Sequence, residues 1–344
     1  MVENITFRYV TPIFNHNPFV NFKHSGQYKD ASYTINLKAY DSSELIELLK
    51  YGNNATKRKL QNIGESYRFS PSFTNVFLAV DIIQPLTKLR EISSNTEESR
   101  DIFHEIVSAL RLHTTRGLFF DYTYIFSSIP FPESTPDTRP AIIRELAGEV
   151  TNYSTLYSLT IPLSHGALGY GKSALPTQEH EPAKLTFQRL LYKEWDEANT
   201  FDKLLKLALE YHRLSFTLER VDHAFLILMV VFEALFKKED ENNINNAATR
   251  IAQFMATVQK DMKPIRKAFL SRPVTSFLTI RNGIAHGDPT LDKVIVEAQY
   301  LELYRYITEA IIKLIKIPDN AIGTNYYDDL EKHINEEFFK LKLS

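Results

Sequence analysis

Thr279-Ile280-Arg281-Asn282-Gly283-Ile284-Ala285-His286-Gly287-Asp288-Pro289 reads as the last turns of an α-helix and the stop that ends it. Apolar Val274, Phe277, Leu278 and Ile284 recur at helical spacing up to that point. Gly287 can take the left-handed backbone that closes a helix, and Pro289 cannot continue one. Asn282 and His286 stand four apart and share a face, with Arg281 one position round on a stem long enough to reach them. A cation, an amide and an imidazole therefore meet at one helix end, and the C-terminal part of the chain is committed to helices.

Helical periodicity continues on both sides of this stretch. Leu204, Leu205, Ala208, Tyr211 and Leu214, or neighbours of these, lie on one stripe of a helix over 202–216. Asp222 opens a strongly apolar helix over 223–237, and a third covers 247–258. Pro273 suits the first turn of the helix that carries Arg281. A long amphipathic helix over 292–316 stops before Pro318, and a short one over 328–343 closes the chain. No fixed-period repeat is present. The pattern predicts an all-α bundle over residues 185–344.

Residues 1–184 have a different texture. Val76, Leu78, Val80 and Ile82 alternate with Phe77 and Ala79 between them, which predicts a strand over 75–83 buried on both faces. Leu118, Phe120, Tyr122, Tyr124 and Phe126 alternate likewise, as do Tyr157, Leu159, Ile161 and Leu163. Between the first two strands, Ile102, Phe103, Ile106, Val107 and Leu110 mark one face of a helix, with Glu97 and Glu98 near its start. A short helix is expected over 43–50, and a Gly/Pro-rich surface loop over 165–184. The fold class is α+β: a mixed α+β domain over 1–184 without a visible catalytic grouping, followed by the helical domain over 185–344.

Composition narrows the chemistry. The 344 residues are 44% hydrophobic and 24% charged, globular rather than disordered. A formal net charge of −2 gives no bulk argument for a polyanionic partner, so any such binding must rest on a local basic patch. There is no cysteine, which removes disulfides, thiolate metal sites and cysteine nucleophiles. The histidines show no paired ligand spacing, and neither a metal nor a cofactor is expected. The N-terminus lacks a signal-peptide layout, and the apolar run 224–232 is shorter than the roughly 20 residues a membrane helix needs. A cytoplasmic protein with no membrane partner is expected.

The helix end has the parts for metal-independent RNA cleavage. An imidazole titrates near neutrality and can move the 2′-hydroxyl proton as general base or acid. A guanidinium matches phosphate oxygens and keeps its charge as the transition state forms. His286 and Arg281 are assigned these two duties, with Asn282 a positioning hydrogen-bonder. A plainer reading is open at this point: Arg281 pairs with a buried carboxylate, Asn282 caps, and His286 merely ends a helix. Glu233, inside the apolar helix, needs a partner; Arg281 with Asn282, or Arg250, can provide it. Its duty is then to orient Arg281.

Three landmarks occur in order: the apolar helix with Glu233, then Ala247-Ala248-Thr249-Arg250-Ile251-Ala252, then Arg281-Asn282-Gly283-Ile284-Ala285-His286-Gly287. Over about residues 200–320 this arrangement resembles the HEPN family, and its ApeA-like branch in particular. Upstream, Ser108-Ala109-Leu110-Arg111-Leu112 is similar to a segment in the N-terminal halves of such proteins. The resemblance implies a helical bundle that forms a homodimer, with two Arg-x4-His motifs in one cleft. It further implies an endoribonuclease that leaves a 2′,3′-cyclic phosphate, in phage defence or a toxin system, with room for an antitoxin or trigger protein as partner. Arg281, Asn282 and His286 match the family motif, and Glu233 and Arg250 match supporting landmarks. Some family members are inactive binding modules for RNA, nucleotide or protein, which is the alternative expectation.

Two further features bear on phosphate binding. Gly166-Ala167-Leu168-Gly169-Tyr170-Gly171-Lys172-Ser173 has the spacing of a phosphate-binding loop, but Pro176 follows where the required helix should start. A flexible surface loop explains it better. Lys260, Lys263, Arg266, Lys267 and Arg272 form either an RNA-facing patch or a solvated helix face.

Overall fold

The structure is a computed structural model. It describes residues 3–13, 21–50, 76–86, 92–113, 123–128, 150–151, 189–190, 195–196, 198–215, 218, 220–241, 244–257, 259–270, 275–318 and 321–343. They belong to two compact units, each described by itself. The strand expected over 157–163, the loop over 165–184 with its Gly166–Ser173 spacing, and Arg272 to Val274 lie outside the described residues.

The N-terminal unit is built on an antiparallel sheet of six strands among the described residues: β1 (Glu3–Pro12), β2 (Phe22–Tyr28), β3 (Ala31–Ala39), β4 (Val76–Leu86), β5 (Thr123–Ser127) and β6 (Val150–Thr151). Their order is β2-β3-β4-β1-β5-β6. The expected two-faced burial of β4 is observed, for Val76 through Val80 are all buried and the strand sits between β3 and β1.

Each face of the sheet has its own cover. Helix α1 (Ser42–Leu48) starts with a capping box between Asp41 and Glu44, and Arg8 donates to the Glu47 and Leu48 carbonyls at its far end. The same guanidinium forks onto Asp81 at 2.5 and 2.6 Å. On the other face lies α2 (Ile92–Leu112), whose Ile102, Phe103, Ile106, Val107 and Leu110 are all buried as their spacing requires. Phe103 stacks on Tyr9 at 4.5 Å, and the Tyr9 hydroxyl meets Ser99 Oγ at 2.6 Å. This helix starts earlier than its apolar stripe suggested. Glu97 and Glu98 therefore fall in its second turn rather than at its start.

The C-terminal unit is all helical among the described residues: α3 (Thr200–Ser215), α4 (Val221–Phe236), α5 (Ile244–Met255), α6 (Met262–Phe269), α7 (Phe277–His286), α8 (Lys293–Lys316) and α9 (Tyr326–Leu343). Helix α4 is its centre, packed by α3, α5, α7 and α8. Ala247, Ala248 and Ala252 of α5 are fully buried, small side chains that let helices approach closely. Phe269 closes the aromatic core, with ring centroids 4.4 Å from Phe232, 4.9 Å from Phe277 and 5.8 Å from Tyr306.

The end of α4 shows why the bundle holds together. Its last four carbonyls would be orphans in an isolated helix. Here each has a donor: Glu233 O accepts from the Lys237 amide, Ala234 O from the Tyr327 hydroxyl, Leu235 O from the Tyr326 hydroxyl, and Phe236 O from Arg250.

Two expectations needed correction here. The buried stripe of α3 is Phe201, Leu205, Ala208 and His212, whereas Leu214 is exposed. His212 turns inward because Thr308 Oγ1 satisfies its Nε2 at 3.0 Å and Tyr304 stacks on its ring. Helix α6 was not anticipated, since Pro264 disguised it; a proline in the first turn has no amide that the helix would use. No helix among the described residues is long and apolar enough to cross a membrane.

Candidate active site

Ser276 starts the helix that carries the site. Its hydroxyl accepts from the Thr279 amide at 3.3 Å, and Phe277 and Ile280 bury the inner face of α7 against the core. The other end is a Schellman stop: the Asp288 amide donates to Gly283 O at 2.9 Å and the Gly287 amide to Ile284 O at 3.1 Å. Gly287 has φ 66° and ψ 38°, the left-handed conformation that its sequence position requested. Asp288 then accepts from the Thr290 amide and hydroxyl, and Asp292 caps α8 through the Val294 amide. The turn from α7 to α8 is thus fixed at every step.

Arg281 lies partly exposed on α7, at 40% of its side-chain surface. Its Nη1 donates to Asn282 Oδ1 at 3.1 Å, and its Nη2 lies 3.6 Å from Glu233 Oε1 on α4. That separation is an ion pair rather than a hydrogen bond. Of the two partners open to Glu233 from sequence, Arg281 is the one it meets. His286 is exposed in the last turn, in the residue before the left-handed glycine. Ideal helix geometry puts Arg281 and His286 about 7.5 Å apart along the axis and roughly 140° apart around it. Their side chains therefore leave the helix on different sides of one solvent-facing tip.

Arg250 does not join this group. It is buried, with both terminal nitrogens on the Glu241 carboxylate and one also on Phe236 O at 2.6 Å. Glu331 comes within 3.8 Å of it from α9. The guanidinium holds the Glu241 carboxyl at about 2, down from an ordinary 4.5. This is a structural clamp on the end of α4. Sequence reading missed its acid half; the signal was the acidic run Glu239-Asp240-Glu241 between two helices, with an arginine one helix later needing a partner.

A separate cavity of about 290 Å³ lies beside α3, lined in part by Trp195, Lys203, Lys206 and Glu210. None of Arg281, Asn282, His286 or Glu233 lines it, so the size of a hollow does not locate the chemistry suggested by residue type. Among the described residues, no three His, Asp or Glu side chains gather as a metal site. Fold and geometry together define an α+β protein whose helical unit presents Arg281, Asn282 and His286 at an open helix tip, backed by a carboxylate. No family model, curated protein or solved structure matches the chain.

Proposed function

We propose that the helical unit is a metal-independent endoribonuclease of HEPN type. The observation that carries the reading is that Arg281 and His286 both reach solvent at one helix tip, with Glu233 and Asn282 holding the guanidinium. His286 takes the proton from a ribose 2′-hydroxyl, whose oxygen attacks the adjacent phosphorus. The 5′-oxygen leaves, protonated by water, and a 2′,3′-cyclic phosphate remains. Arg281 stabilises the charge that builds on the phosphate oxygens. Glu233 and Asn282 are positioning residues.

The angle between Arg281 and His286 on one helix favours a homodimer, in which two tips face one phosphodiester. Val230, 43% exposed one turn before Glu233, is an apolar contact that such pairing would cover. The test is cleavage of total RNA by purified protein in EDTA. H286A and R281A should each lose about 10²–10⁴-fold in rate while fold and oligomeric state are kept. Undiminished cleavage by both variants ends the proposal.

A second reading draws on the Glu233–Arg281 pair, which already offsets part of the guanidinium charge. On that reading the tip is a non-catalytic module that binds RNA, a nucleotide or a protein. RNA binding without any cut ends would establish it.

A further inference from the structure

We propose that the exposed face of α6 and the turn before it bind the phosphate backbone of single-stranded RNA outside the cleavage site, an inference that rests on RNA being the ligand of the helix tip. The chain as a whole carries a net charge of −2, yet between Asn242 and Gly287 there are seven Lys or Arg and a single acid, Asp261. One of the seven, Arg250, is spent on Glu241. Four more, Lys260, Lys263, Arg266 and Lys267, are exposed on α6 and the 3-10 turn Gln259–Asp261 that leads into it. Among the described residues, no ion pair engages any of these four, and only Arg266 has a hydrogen-bond partner, its Nε donating to Thr249 Oγ1 at 3.0 Å. Elsewhere in the unit Lys238 meets Asp328 and Glu331, and the exposed Arg220 meets Asp222.

Lys260 in the 3-10 turn and Lys263 and Lys267 on α6 recur at i, i+3 and i+7, so they form one row whose Cβ atoms are spaced by about 5–6 Å along a helical path. Such a row suits the successive phosphates of an extended single strand. A membrane surface fits less well, because Ile265 and Phe269, the large apolar side chains that could insert, are turned into the core. A short connection joins α6 to α7, so the row and the helix tip belong to one continuous basic segment.

The experiment measures binding of a fluorescein-labelled oligouridylate by the full chain across a salt series, beside cleavage of the dinucleotide uridylyl-adenosine. A dinucleotide has one phosphodiester and engages the helix tip alone. K260Q/K263Q/K267Q should bind the oligonucleotide about tenfold more weakly, with the slope of log K against log salt reduced by about 2. Its dinucleotide cleavage should equal that of the unaltered protein. A control with three exposed lysines removed elsewhere, K203Q/K316Q/K332Q, should bind normally. Unchanged oligonucleotide binding by the first variant overturns the inference, as does an equal loss in the control. So does an outcome in which the row governs binding to phosphatidylserine vesicles and not to RNA. An unaltered protein that binds RNA through this row yet cuts nothing would remove the nuclease function and leave this inference standing.

Discussion

Gly287 is the residue on which the geometry of the candidate site turns. Its φ of 66° is one that a Cβ disfavours, and a Cβ placed there would meet nothing within 4 Å. Conformation alone therefore sets the cost of substitution. G287A should lower stability by about 1 kcal/mol in urea unfolding, and G287N by less, since asparagine tolerates the left-handed region. Equal losses for the two would show that something other than backbone preference is at stake. Glu233 makes a different kind of statement, because its carboxylate is 3.6 Å from Arg281 and would act on the substrate through that guanidinium. E233Q should lower kcat by roughly tenfold with KM little changed. An unaltered kcat would reduce Glu233 to a bystander. The helix end and its left-handed glycine are legible in the sequence, since both follow from short-range spacing; for Glu233 the sequence leaves Arg281 and Arg250 both open, and only the fold brings the partly exposed carboxylate to Arg281.

At the level of elements, the bundle depends on how α4 ends. Three of its last four carbonyls are satisfied by side chains from α5, the next helix, and from α9, far away in sequence. Y326F removes the donor to a buried carbonyl and should cost about 1–3 kcal/mol. Y327F, on a half-buried ring, should cost less. A thermal melt of the two variants checks the order, and a larger loss in Y327F would contradict the capping account. None of this was readable in advance, for a tyrosine's hydroxyl partner is a tertiary fact and no periodicity encodes it. The same limit explains α3. Its spacing announced a helix, but the choice of buried stripe was made by Thr308 and Tyr304, which receive His212. Helix α6 is hidden by Pro264 and by having only two buried residues, Ile265 and Phe269.

For the molecule as a whole, acid stability should carry the mark of the Arg250–Glu241 clamp. Glu241 has a folded value near 2 against an ordinary 4.5, so its contribution is complete above about pH 4.5 and is lost as pH falls toward 2. E241Q should cost about 3 kcal/mol at neutral pH by leaving a buried guanidinium without its main partner. The gap between E241Q and the unaltered protein should close as pH is lowered through that window. A gap independent of pH would mean that packing, not charge, is responsible. Composition and periodicity sufficed for the division into a sheet-based unit and a helical one. The strand order, by contrast, places β1 between β4 and β5 through pairings that no local pattern announces. Because α4 is enclosed by four neighbouring helices and its terminal carbonyls are all occupied, its amides should be the last in the helical unit to exchange with deuterium. The carboxylate opposite Arg281 is thus mounted on the slowest-opening segment of that unit, and the guanidinium must adjust to it rather than the reverse.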